Sequence, residues 1–68
     1  MKTVTQREQQ VLENISLGYT TKEIASKLYL SSHTIISHKK KLLEKLSASN
    51  SPELVRKGFQ YGILSFAS

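Results

Sequence analysis

The length of 68 residues allows one domain with a small core, and a hydrophobic content of 38% excludes a disordered chain. No apolar run approaches the roughly 18 residues of a membrane-spanning helix. Cysteine is absent, which excludes disulfides and thiolate metal sites and fits a reducing cytoplasm. Ten Lys and Arg against five acidic residues leave a net charge of +5. This excess points to a polyanionic partner, either nucleic acid or an anionic membrane surface.

Four helices are predicted, over about residues 5–17, 21–28, 32–46 and 52–61. Each of the first two begins with a capping box, in which two side chains three residues apart satisfy free backbone N–H groups. Thr5 and Glu8 form the first box, and Thr20 and Glu23 form the second. Gly18 can adopt the left-handed conformation that ends the first helix. The apolar positions predict the core residues Val11, Leu12, Ile15, Ile24, Ala25 and Leu28.

The third predicted helix is long and amphipathic. At about 100° per residue, Ile35, Leu42 and Leu46 share one stripe, and the opposite face is polar and mostly basic. A helix of about 16 residues is roughly 24 Å long, which suits a DNA major groove about 12 Å wide. With the second helix and a short turn at residues 29–31, it makes a helix-turn-helix pattern. It is therefore the candidate recognition helix of a single all-α, four-helix domain over residues 1–68.

The exposed face of this helix supplies the candidate base contacts. Lys40 is centred opposite the buried stripe, and His33 and Ser37 share its face near the helix start, where recognition helices touch base edges. Ile36 either contacts a thymine methyl group, which the major groove does offer, or packs at the edge of the core. We predict that all four contact DNA.

The candidate phosphate contacts lie on the flanks. Lys39 and Lys41 are on opposite sides of the third helix, towards the two bordering phosphate strands, although a run of lysines is also typical of a solvated helix face. Thr20, Thr21 and Lys22 stand at the start of the second helix, where free N–H groups and the helix dipole favour a phosphate. The alternative is that these three residues only cap that helix.

The fourth predicted helix has two apolar stripes and follows the polar loop at residues 47–51. Pro52 suits its first turn, with Asn50 or Ser51 as the N-cap. One stripe contains Leu54, Gly58 and Tyr61, and the other contains Val55 and Phe59. Because a small core needs only one stripe, we predict that the Val55 and Phe59 stripe forms a two-fold contact between two copies. The alternative is that Phe59 covers the tail at Ile63 and Leu64. An apolar tail of Ile63, Leu64 and Phe66 is expected to fold back.

Metal binding and catalysis are not expected. His33 and His38 are five residues apart and about 140° apart on a helix, so they cannot chelate one ion together. The chain contains no Asp and hence no aspartyl phosphoacceptor, and its Glu residues form no obvious acid–base pair. We therefore predict no enzyme activity, no metal and no cofactor.

The motifs together resemble the LuxR/FixJ/NarL-type helix-turn-helix domain over about residues 4–64. The matching segments are VTQRE at 4–8, VL at 11–12, KEIA at 22–25, LYLS at 28–31, TIISH at 34–38, EKL at 44–46, EL at 53–54 and GIL at 62–64. The resemblance implies a four-helix DNA-binding domain of bacterial transcription regulators, whose third helix reads the major groove and whose fourth commonly forms the dimer contact. Many members carry a preceding receiver or ligand-binding domain, so the chain is either an excised C-terminal domain or a free-standing regulator.

Four positions depart from the family pattern. Ile36 stands where a basic or other polar residue is frequent, Ser47 and Ser51 replace a frequent Gly and Arg, and Gly58 replaces a frequent Ala. The glycine is expected to loosen the fourth helix by up to about 1 kcal/mol.

The sequence thus predicts a cytoplasmic, nucleoid-associated transcription regulator that binds double-stranded DNA as a homodimer, with RNA polymerase as a further partner. One alternative is a helix-turn-helix module that binds another protein, because the fold alone does not decide function. Another is a peripheral membrane binder built on the basic amphipathic third helix. The membrane alternative requires Leu42 and Leu46 to be exposed.

Overall fold

The computed structural model describes residues 3–65, which form four helices joined by short turns and contain no β-strand. The helices are α1 (Gln6–Ser16), α2 (Thr21–Leu28), α3 (Ser32–Lys45) and α4 (Ser51–Gln60). The predicted all-α fold is confirmed, and the predicted helix ends agree with these bounds to within one residue.

The helix starts are fixed by side-chain caps, as predicted. In α1, Glu8 N–H donates to the Thr5 hydroxyl oxygen and Thr5 N–H donates to the Glu8 carboxylate, at 3.1 and 2.9 Å. Thr20 and Glu23 repeat this exchange at the start of α2. At the start of α4 the N-cap is Asn50 rather than Ser51, since its side chain accepts from the backbone N–H of the third helical residue.

The core lies around α1, which contacts each of the other three helices, while α3 packs against α1 and α2. All the predicted core positions of α1 and α2 are buried or partly buried, and so is the stripe of α3. The buried apolar side chains are Val11, Leu12, Ile24, Ala25, Ile35, Leu42, Leu46, Leu54 and Leu64. The burial of Leu42 and Leu46 shows that the membrane alternative, which needs them exposed, is wrong. No helix within residues 3–65 is long and apolar enough to cross a bilayer.

The segment after α4 folds back onto that helix, as expected for the tail. Leu64 is buried, and the backbone N–H groups of Ile63 and Leu64 both donate to the Gly58 carbonyl, at 2.8 and 3.0 Å. A Cβ atom on Gly58 would lie only 2.8 Å from Leu64 Cδ1, so the glycine provides the space that Leu64 fills. Phe66, the third predicted tail residue, lies outside the described residues.

The two apolar stripes of α4 differ from the prediction. Leu54 and Gly58 are buried, but Tyr61 is exposed, so its assignment to the inward stripe is wrong. Tyr61 is the C-cap, one residue beyond the end of α4 at Gln60, and it is 45% exposed. Val55 and Phe59 are partly buried and pack against the core, so the outward surface of α4 is less apolar than predicted.

Two turns place a residue other than glycine in the left-handed conformation. Gly18 adopts it after α1 with a φ of 90°, as predicted, but Tyr29 and Ser47 also have positive φ values, of 57° and 54°. A side chain in this conformation costs about 1–2 kcal/mol relative to the right-handed region. Ser47 stands where Gly is frequent in the family, and the left-handed backbone at this position explains why the family favours Gly there.

One partly buried ion pair joins the start of α1 to the end of α3. Lys45 Nζ lies 2.7 Å from Glu8 Oε1 and donates to the Thr3 carbonyl oxygen at 2.9 Å. Burial alone would raise the pKa of Glu8, but the hydrogen bonds from Lys45 and Thr5 and the charge of Lys45 outweigh it and hold the pKa below its ordinary value. The recognition helix is thereby fixed at its C-terminal end to the first residues of the fold.

Candidate nucleic-acid interface

The outward face of α3 is polar, basic and continuous. His33, Ser37, Lys40 and Lys41 are all exposed, whereas Ile35 on the opposite side is buried. The helix has 14 residues and is therefore about 21 Å long. The structure thus presents these four predicted contact residues on a helix of the right dimensions for a major groove.

The start of α3 differs electrostatically from the starts of the other helices. Ser31 caps it by accepting from Thr34 N–H at 3.2 Å, and the two hydroxyl groups are 2.9 Å apart. The first turn contains no carboxylate, whereas α1, α2 and α4 each have a glutamate there. The positive end of the α3 dipole is therefore not neutralised by a side chain, and it adds to the basic character of this surface.

Lys39 lies apart from the other two lysines of the run and faces α2. It is partly buried, and it lines an open cleft of about 280 Å³ together with Thr20 and Thr21. Predicted phosphate contacts from two helices are thus brought to one place. Lys22 is exposed at the same helix start but does not line the cleft, and Lys41 is exposed on the other flank of α3.

The capping box of α2 determines which backbone N–H groups at the helix start are available to bind an anion. The Thr20 hydroxyl accepts from Glu23 N–H, and the backbone N–H of Thr20 donates to the Glu23 carboxylate at 2.8 Å. That backbone hydrogen bond, together with Thr20 Oγ1 and the charge of Lys27, lowers the pKa of Glu23, so the carboxylate is ionised at neutral pH. The first-turn donors left without an intrahelical acceptor are the N–H groups of Thr21 and Lys22.

Sequence reasoning did not assign four residues that lie at or near this surface. Tyr19 and Ser51 also line the cleft, and Lys27 Nζ lies 4.2 Å from the centre of the Tyr19 ring. Tyr29, in the turn between α2 and α3, is 95% exposed. Its position at the end of α2, where a left-handed residue is common, is the sequence feature that indicates a turn and hence an exposed side chain.

The two histidines of α3 differ in exposure. His33 is exposed and His38 is partly buried, in agreement with their separation around the helix. Within residues 3–65, no group of three or more His, Asp or Glu side chains is arranged to hold a metal ion.

Comparison with known proteins identifies the family. The family model described as bacterial regulatory proteins, luxR family, matches residues 2–57. The chain belongs to the LuxR family. It is 46% identical over 56 residues to the transcriptional regulatory protein UhpA of Escherichia coli K12, covering 82% of this chain and 29% of UhpA. It is 38% identical over 63 residues to the oxygen regulatory protein NreC of Staphylococcus carnosus, covering 93% of this chain and 29% of NreC.

A solved structure shows the same fold. The response regulator ChrA of a heme-sensing two-component system superposes with a TM-score of 0.90 and 23% sequence identity, over 94% of this chain and 32% of ChrA. The superposition thus confirms the fold of this LuxR-type helix-turn-helix domain. The chain spans about 29% of the length of UhpA and of NreC.

Proposed function

We propose that this LuxR-type domain, residues 1–68, binds duplex DNA sequence-specifically with α3 in the major groove and so regulates transcription. The observation that carries the proposal is the exposed basic face of α3, opposite a stripe whose members Ile35 and Leu42 are buried. Because the core holds the helix by its apolar side, the polar side is free for a ligand. A net charge of +5 makes a polyanion the favoured partner.

The residues of this face have distinct proposed roles. His33, Ser37 and Lys40 contact base edges, since they are exposed along the middle and the start of the recognition helix. Lys41 contacts the phosphate strand on one flank of α3. Lys39, which lines the cleft on the other flank, contacts the opposite strand. Positive charges on both sides of a base-reading stripe match the two strands that border a groove.

The start of α2 is the proposed second phosphate contact. The N–H groups of Thr21 and Lys22 are the donors that the capping box leaves over, and Lys39 supplies a charge in the same cleft as Thr21. Thr20 is first a capping residue, because its hydroxyl oxygen accepts from Glu23 N–H. Its O–H hydrogen is the group that it can offer to a phosphate oxygen.

We further propose that two copies pair on DNA through α4, with Val55 and Phe59 in the contact. A two-fold contact there would place two recognition helices about one DNA turn apart, roughly 34 Å. Both side chains are only partly exposed, so the area is small and the free domain should be mostly monomeric, pairing where the duplex raises the effective concentration. RNA polymerase as a further partner and a place in the cytoplasm with the nucleoid belong to the same proposal.

Selection of bound duplexes from a random library at about physiological salt tests the function, followed by titrations with Lys40→Ala. A lost phosphate contact should lower the salt slope by about one per subunit and weaken all sequences equally, whereas a lost base contact should cost about 1–3 kcal/mol at one position of the site. Arg56→Ala is the matched control. It removes the same charge from an exposed position of α4, which packs mainly against α1.

Two results would contradict the proposal. One is the recovery of no duplex above the random background. The other is equal affinity of wild type and Lys40→Ala for every duplex at low salt. The first result would favour the alternative of a protein-binding helix-turn-helix module, and the second would remove Lys40 from the proposed DNA contacts.

A further inference from the structure

Ile36 is an aliphatic side chain on an otherwise polar part of α3. It is 44% exposed, and it is not among the side chains that pack against the core. Its neighbours one turn away on the helix surface are all polar, namely Ser32, His33, Lys39 and Lys40. A single exposed hydrophobic residue is ordinary on a protein surface. Ile36 is different because it lies within the proposed DNA-binding face.

The helix geometry places Ile36 between the side of α3 that borders the cleft and the exposed centre of its outward face. It is about 100° around α3 from the buried Ile35, and it lies between Lys39 and Lys40 on the helix surface. Lys39 lines the cleft at the start of α2, on the phosphate side, whereas Lys40 is exposed at the centre of the face. An aliphatic group between a phosphate contact and the groove centre would meet the edges of the bases.

The major groove limits what an isoleucine can recognise there. Its base edges present hydrogen-bond donors and acceptors, and the apolar group among them is the C5-methyl of thymine. Burying Ile36 against a donor or acceptor would leave that polar group unpaired, which is costly. We propose that Ile36 reads the C5-methyl group of a pyrimidine, which makes a thymine at one position of each half-site a determinant of specificity. This inference rests on the proposed function, since it requires α3 to lie in the major groove.

Single deoxyuridine substitutions test the inference directly. Uracil lacks only the C5-methyl of thymine and keeps the same hydrogen-bonding edges. In the duplexes recovered with this chain from a random library, replacing each thymine in turn should weaken binding at one position by about fourfold per half-site, the effect expected for one buried methyl group. Because a methyl contact releases no counterions, this ratio should not change with salt concentration.

Protein variants assign the effect to the side chain. Ile36→Ala should lower affinity for the thymine duplex and bind the thymine and uracil duplexes equally, and it should still fold because the side chain is half-exposed. Lys40→Ala should weaken both duplexes but keep the fourfold ratio. In a duplex with cytosine at the same position, 5-methylcytosine should raise wild-type affinity and leave that of Ile36→Ala unchanged.

The outcomes separate this inference from the function on which it rests. Specific duplexes with no uracil-sensitive thymine would overturn the reading of the methyl group and leave DNA binding intact. A uracil effect that persists in Ile36→Ala would assign the methyl contact to another side chain and equally overturn the inference. Recovery of no specific duplex would overturn the proposed function, and the inference with it.

Discussion

Replacing Gly58 by alanine should destabilise the domain, although alanine is the better helix former. The added methyl carbon would lie 2.8 Å from Leu64 Cδ1 and 3.1 Å from both Leu64 Cγ and Leu12 Cδ2. Leu64 is buried, and its backbone N–H is bonded to the carbonyl oxygen of Gly58. Its backbone is therefore held in place, and its side chain can yield to the added methyl group only by repacking within the core.

The change in unfolding free energy caused by Gly58→Ala is the difference between two opposed effects. Helix propensity favours alanine by about 1 kcal/mol, while overpacking a filled core costs about 1–3 kcal/mol. The net loss should be about 1 kcal/mol, or roughly 4–8 °C in Tm for a domain of this size. In a Leu64→Ala background most of the obstruction is gone, so Gly58→Ala should there stabilise the fold by up to about 1 kcal/mol.

Urea unfolding of the wild type, both single variants and the double variant, followed by far-UV circular dichroism, gives the coupling energy between the two sites. We expect a coupling of about 2 kcal/mol, the sum of the expected net loss and the expected gain. Equal effects of Gly58→Ala in both backgrounds would refute the reasoning, because they would mean that Leu64 does not occupy the space beside the glycine.

Lys45→Met should cost about 3 kcal/mol at pH 7, measured by urea unfolding, since it leaves the buried Glu8 carboxylate without its cation. The folded pKa of Glu8 lies below its unfolded value, so the ion pair stabilises the fold fully at neutral pH and loses this effect as the pH falls through the folded pKa. Acidification should therefore lower the unfolding free energy of the variant less than that of wild type. Ser47→Gly should raise the unfolding free energy by about 1 kcal/mol, because Ser47 is exposed and left-handed; an unchanged or lower Tm would speak against this. Val55→Glu should fold and bind a single half-site weakly but lose cooperative binding to two half-sites, whereas Gln60→Glu, with the same added charge on another side of α4, should remain cooperative. Cooperativity in the Val55 variant would exclude its face from the dimer contact.

The local features of the fold could be predicted because they depend on short spacings in the sequence. The capping pairs fixed where α1 and α2 begin, and the stripe containing Ile35 and Leu42 identified the buried side of α3 without knowledge of its neighbours. The exposure of Lys40 follows from the same periodicity. These properties belong to single helices, so the sequence is sufficient for them.

Features that depend on the packing of one element against another could not be predicted in the same way. The cleft that unites Lys39 with Thr21 exists because α3 packs beside the start of α2. The need for Gly58 depends on where the tail returns, and the exposure of Tyr61 depends on where α4 ends. The helical periodicity of the sequence contains no information on the cleft, on the need for Gly58 or on the exposure of Tyr61.

The capping glutamates also affect how the domain approaches a charged partner. Three of the five acidic residues, Glu8, Glu23 and Glu53, accept backbone N–H groups at the starts of α1, α2 and α4. Within residues 3–65 only Lys45 is held in an ion pair, so the remaining basic side chains are not neutralised by acidic neighbours in direct contact. With a net charge of +5, the domain should therefore attract a polyanion at long range, and its association rate should fall steeply as ionic strength rises.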